Sequence, residues 1–108
     1  MVARIFEWNV KQDKKDDFRQ AVQSKIAPML RQQSGFLEIL SFFPEITRED
    51  NVFTISLWTM RADAEYYEKE FYPRMYGILK PYLLAPAIVR PYTVEGTLFE
   101  HFAEMLAA

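Results

Sequence analysis

The sequence predicts an α+β domain of the ferredoxin-like kind, in the order βαββαβ, with a four-stranded antiparallel sheet. Three observations carry that reading. Stretches with strand and helix periodicity follow one another in this order along almost all of the 108 residues. Glycine, proline and polar clusters stand at the joints. Half of the residues are hydrophobic and 16% are aromatic, so one domain of this length can bury a core.

The first strand is expected over Val2–Val10, with Ala3, Ile5, Glu7 and Asn9 on one face and Val2, Arg4, Phe6, Trp8 and Val10 on the other. A helix follows over Lys14–Gln33, where Phe18, Ala21, Val22, Ile26, Met29 and Leu30 form one apolar stripe. Asp13 is its expected cap, Pro28 should kink it, and Gly35 is its expected left-handed stop. Phe36–Phe43 and Val52–Met60 read as a hairpin around the polar loop Pro44–Asn51. Leu37, Ile39 and Phe43 are expected on one face, with Phe36, Leu40 and Phe42 on the other. The second helix spans Ala62–Leu79 and should divide at Pro73, a residue suited to a helix start. Ala87–Glu95 is the last strand, and Pro91 inside it marks an edge or a bulge. Residues 1–96 thus read as the domain and 97–108 as a C-terminal tail, with a short helix at Phe99–Ala107.

Composition removes several function classes. Thirteen basic and fifteen acidic residues give a net charge of −2 without a run of one sign, so the electrostatic footprint of a nucleic-acid binder is missing. Without cysteine there is no disulfide, thiolate metal site or cysteine nucleophile. The single histidine, His101, cannot build a metal site alone and reads as a surface residue. Gly35, Gly77 and Gly96 are too scattered for a phosphate loop, and Ser24, Ser34, Ser41 and Ser56 have no nearby histidine base. No apolar run reaches the ~20 residues of a membrane span, and the N-terminus alternates as a strand rather than a signal peptide. The expectation is a cytoplasmic protein that binds neither nucleic acid nor membrane.

The hairpin strands are apolar on both faces. In this fold both helices cover one face of the sheet, so the other would expose phenylalanine, leucine and tryptophan to water. A second copy of the same sheet is the simplest cover, which predicts a homodimer.

The segments "QQSGFLEI" (Gln32–Ile39), "ISLWTMRADAEYY" (Ile55–Tyr67) and "PAIVRPYTVE" (Pro86–Glu95), with the Phe18-centred helix, resemble the antibiotic biosynthesis monooxygenase domain family over residues 2–95. The resemblance implies a dimeric α+β barrel with a small-molecule cavity between each sheet and its own helices. Its activities include cofactor-independent oxidation of polycyclic phenols, quinol oxidation and haem degradation. Haem-degrading relatives use an asparagine late in the first strand, which Asn9 matches, and a helix-two histidine, which would fall at Gly77. Only Tyr76 nearby offers even a weak axial ligand, so haem chemistry is disfavoured. Phenol-oxidising relatives use a tryptophan closing the third strand, matched by Trp58. The asparagine position before it is taken by Thr54, and Tyr66 or Tyr67 must supply the tyrosine. The resemblance therefore implies Asn9, Trp58 and Tyr67 as catalytic candidates and Tyr66, Phe71 and Arg90 as substrate-binding candidates, with no metal and no cofactor. The plainer reading makes Trp58 and Tyr67 core residues and pairs Arg4 and Arg90 with Glu7, Glu38 or Glu95. The leading function is a monooxygenase-like enzyme on a small aromatic or quinol-type molecule. The alternative is a non-catalytic dimeric binding or structural module. A cavity of ~300 Å³ or more lined by Asn9, Trp58 and Tyr67 would favour the enzyme, and a filled core the module.

Overall fold

A computed structural model describes residues 1–95, so the tail and its expected helix lie outside the described residues. The four strands are β1 (Val2–Asn9), β2 (Phe36–Phe42), β3 (Asn51–Trp58) and β4 (Ile88–Thr93). They form one antiparallel sheet in the order β2-β3-β1-β4, the ferredoxin-like arrangement the sequence predicts. Pro91 lies in β4, an edge strand, where a missing N–H is tolerated.

Between β1 and β2 the chain makes a 3₁₀ turn (Gln12–Lys14), helix α1 (Lys15–Ala21), a π-helical turn (Val22–Ile26) and helix α2 (Ala27–Arg31). The π turn is the answer to Pro28. The Ala27 N–H reaches back five residues to the Val22 carbonyl, and the register shift places Pro28 in the first turn of α2, where no N–H is required. Asp13 does not cap α1: it falls inside the 3₁₀ turn, and neither start has a side-chain cap. Gly35 has φ +77°, the left-handed stop expected of it. Its carbonyl accepts the Thr59 N–H at 2.8 Å, tying the helix stop to the end of β3.

After β3 come α3 (Arg61–Glu70) and α4 (Tyr72–Leu79), divided at Phe71 with Pro73 in the first turn of α4. The helices cover one face of the sheet. Phe6 and Trp8 of β1, Trp58 of β3, and Phe18, Ile26, Leu30, Tyr67, Met75 and Leu79 of the helices are buried in one cluster. Phe36 departs from expectation. The register slips between Phe36 and Glu38, so Phe36 pairs with Trp58 and joins Ile39 on the helix side, while Leu40 and Phe42 pair with Ile55 and Phe53. The helix-free face presents Ile5, Leu40, Phe42, Phe53, Ile55, Ile88 and Tyr92, and Phe42 and Tyr92 are half exposed.

Candidate functional site

On the helix side, β3 reads Val52, Thr54, Ser56, Trp58, and the two hydroxyl residues in its middle are buried. Each satisfies a tryptophan. The Trp8 indole N–H donates to Thr54 Oγ1 at 2.9 Å, and that of Trp58 donates to Ser56 Oγ at 3.0 Å. Without those oxygens two indole donors would be left unpaired in the core, at a cost of about 1–3 kcal/mol each. Facing them from α3, the Tyr67 hydroxyl donates to Met75 Sδ of α4 at 3.1 Å. Burial raises the Tyr67 phenol far above its ordinary value near 10, so it stays neutral and acts only as a hydrogen-bond group at physiological pH.

These groups meet around a cavity of about 10 Å³ lined by Phe6, Leu30, Ile39, Thr54, Ser56, Tyr67 and Met75. That is room for about one water molecule. The interior is filled rather than open. Aromatic rings continue outward from it: Trp58 lies 5.5 Å from Phe36 and 5.3 Å from Tyr67, Tyr67 stacks on Phe71 at 5.9 Å, and Phe71 meets Tyr66 at 6.1 Å. Across α4, Tyr72 packs against Phe6 and Tyr76. Its phenol is also raised, first by burial and then by the charge of Tyr76.

The structure thus brings together Trp58, Tyr67, Phe71 and, at the exposed end, Tyr66. It does not bring Asn9 or Arg90 to them. Asn9 pairs with Asn51, at the opposite end of the strand pair from Val2 and Trp58, roughly 23 Å away at the rise of an antiparallel strand. Its place in the strand alternation puts it on the helix-free face, where its Oδ1 is buried without a hydrogen-bond partner among the described residues. Arg90 lies on that same face, 3.9 Å from Glu7, one of the carboxylates expected for it. Arg4 finds a different partner. It is buried on the helix face and pairs with Glu68 of α3, sixty-four residues away, while donating to the Ala3 carbonyl.

Larger hollows lie elsewhere. A cleft of about 420 Å³ runs between α3 and β4, walled by Arg4, Arg61, Glu65, Glu68, Pro91 and Tyr92. A shallow hollow of about 480 Å³ crosses the helix-free face over Ile5, Phe42, Phe53, Ile55, Arg90 and Tyr92. No group of three or more metal-ligating side chains occurs among the described residues, and no helix there is long and apolar enough to cross a membrane.

A four-stranded ferredoxin-like sheet with its helices on one face is a recurrent architecture. Comparison with solved structures finds that fold repeatedly. A monooxygenase from the gene ActVA-Orf6 of Streptomyces coelicolor, solved with nanaomycin D, superposes with TM-score 0.73 at 14% identity, covering 89% of this chain and 88% of that one. SnoaB, a cofactor-independent oxygenase from Streptomyces nogalater, gives 0.68 at 18% identity over 90% and 95% of the two chains. Rv0793 from Mycobacterium tuberculosis gives 0.69 at 14% identity over 88% and 95%. The sequence profile of the antibiotic biosynthesis monooxygenase family matches residues 1–70, and the chain belongs to that family. No curated protein matches it by sequence.

Proposed function

We propose that the chain is a cofactor-independent monooxygenase-type enzyme acting on a small aromatic or quinol-type molecule between sheet and helices. The observation that carries this reading is the cluster of buried Thr54, Ser56 and Tyr67 hydroxyls in an otherwise apolar layer, beside Trp58. In the reaction considered, a phenol with a C–H para to its hydroxyl loses its proton and gives an electron to dioxygen. A C–O bond then forms at that carbon, and the peroxide collapses to a quinone with release of one water. One O₂ is consumed per phenol. The protein's part is to hold the phenolate oxygen, pack the ring against Trp58, Tyr67 and Phe71, and exclude water. Neutral Tyr67 serves as a donor there, not as a base. We further propose that the chain works in the cytoplasm as a homodimer, paired through the helix-free sheet faces.

A bicyclic phenol needs far more room than 10 Å³, so side chains lining the cavity, such as Met75 and Tyr67, must move to admit it. The closed interior favours a second reading, a dimeric binding or structural module without chemistry. Oxygen uptake with a panel of hydroquinones and polycyclic phenols separates the two. Uptake with quinone formation, reduced at least tenfold in Tyr67→Phe, supports the enzyme. No uptake with any of them, with a stably folded protein, leaves the module.

A further inference from the structure

Thr54 and Ser56 are each about 95% buried, and each uses one oxygen lone pair to accept an indole N–H. A hydroxyl that accepts still has its own proton to give. Among the described residues neither hydroxyl donates to an oxygen or sulfur, yet both border the 10 Å³ cavity. A buried donor without an acceptor is costly, and the shell is poor in them: Phe6, Leu30 and Ile39 are hydrocarbon, leaving only the Tyr67 oxygen and the Met75 sulfur. The third polar group, the Tyr67 hydroxyl, is held only by Met75 sulfur, a weak acceptor that a better one can replace. Arg4 pairs directly across from Ser56 and so places a buried positive charge on this face, balanced by Glu68.

We propose that Thr54, Ser56 and Tyr67 form a donor-rich pocket for one acceptor oxygen, filled by a single buried water in the empty protein and by a carbonyl or phenolate oxygen in the liganded one. The volume matches one water, and two to four polar partners are what a buried water requires: the Thr54 and Ser56 hydroxyls to donate to it, and the Tyr67 oxygen and Met75 sulfur to accept its protons. The same arrangement disfavours an amine, which brings donors to donors. The ligand half rests on the function proposed above; the water half does not.

A high-resolution crystal structure of the free protein tests the first half. One ordered water within hydrogen-bond distance of both Thr54 Oγ1 and Ser56 Oγ is expected, and an empty cavity there overturns the inference outright. For the second half, calorimetric titration compares 1,4-naphthoquinone, which carries acceptor oxygens, with 1-aminonaphthalene, which carries none. The quinone should bind about tenfold or more tightly, the worth of one or two buried hydrogen bonds. Thr54→Val should erase that preference and Thr54→Ser should retain it; Ser56→Ala serves if the valine variant does not fold. A preference unchanged in Thr54→Val and Ser56→Ala overturns the ligand role. If the water is present and neither naphthalene binds, the donor pocket stands and the proposed function falls.

Discussion

Removing a single hydroxyl at Tyr67 separates two roles that share one side chain. As packing, Tyr67 gives up only a weak bond to Met75 sulfur, so Tyr67→Phe should change stability by no more than about 0.5 kcal/mol. As a donor to substrate, its loss should appear in activity or affinity at unchanged melting temperature. Trp58→Phe differs, because it leaves a void beside Tyr67 and takes the indole donor from Ser56; about 1–2 kcal/mol of stability should go in chemical denaturation. The tyrosines also set an alkaline limit. Burial raises the Tyr67 phenol, so above pH of about 10 the unfolded chain releases a proton that the folded chain keeps. Stability contributed by the neutral phenol is complete below pH 10 and declines as pH rises beyond it. Thermal melts across that range should show a shallower decline in Tyr67→Phe, with a remainder from Tyr72, whose phenol is raised as well. Identical slopes in the two proteins would mean that Tyr67 is reached by solvent.

Among the elements, the link from α2 to β2 turns on one left-handed glycine. A Cβ on Gly35 would collide with the Asp63 carboxylate and lie 2.9 Å from Thr59 Oγ1, in addition to the strain of φ +77°. Gly35→Val should therefore cost more than about 1 kcal/mol, and an unchanged melting temperature would refute that role. The same joint shows what sequence patterning can and cannot reveal. Gly35, the division of the second helix near Pro73, and the edge placement of β4 follow from residues whose backbone preferences act locally. The bulge that turns Phe36 toward Trp58 has no such local signal, since alternation assumes an unbroken pleat. Asp13 had the right chemistry for a cap, but the 3₁₀ turn took it into the helix path. Arg4 found Glu68 because α3 crosses over β1, a tertiary fact that nearness in sequence does not encode. The hydroxyls of the site were not legible: Thr54 stood only in the place of a family asparagine and Ser56 only as a serine without a base, and their pairing with two indoles follows from the register and the packed helices. Asn9 rested on family resemblance alone, and the register carries it away from Trp58.

For the molecule as a whole, the uncovered sheet face is the dominant unbalanced feature. Leu40, Phe42, Ile88 and Tyr92 are each roughly half exposed on it, around one Glu7–Arg90 pair. Pairing of two such faces should bury on the order of 1,000 Å² per subunit or more, so light scattering should report a dimer that persists on dilution. A dilute monomer with intact circular dichroism would refute that pairing. The chain's two tryptophans offer the most direct view of the central claim, that ligand chemistry belongs to the polar centre beneath the helices. Both indole N–H groups end at that centre, one on Thr54 and one on Ser56, so nitrogen–proton correlation spectra carry two resolved reporters of it. Titration with a naphthol or a hydroquinone should shift both indole signals and the Met75 methyl together, with saturation. Shifts confined to Ile5, Ile55 and Ile88 on the opposite face, with both indole signals unmoved, would contradict the account.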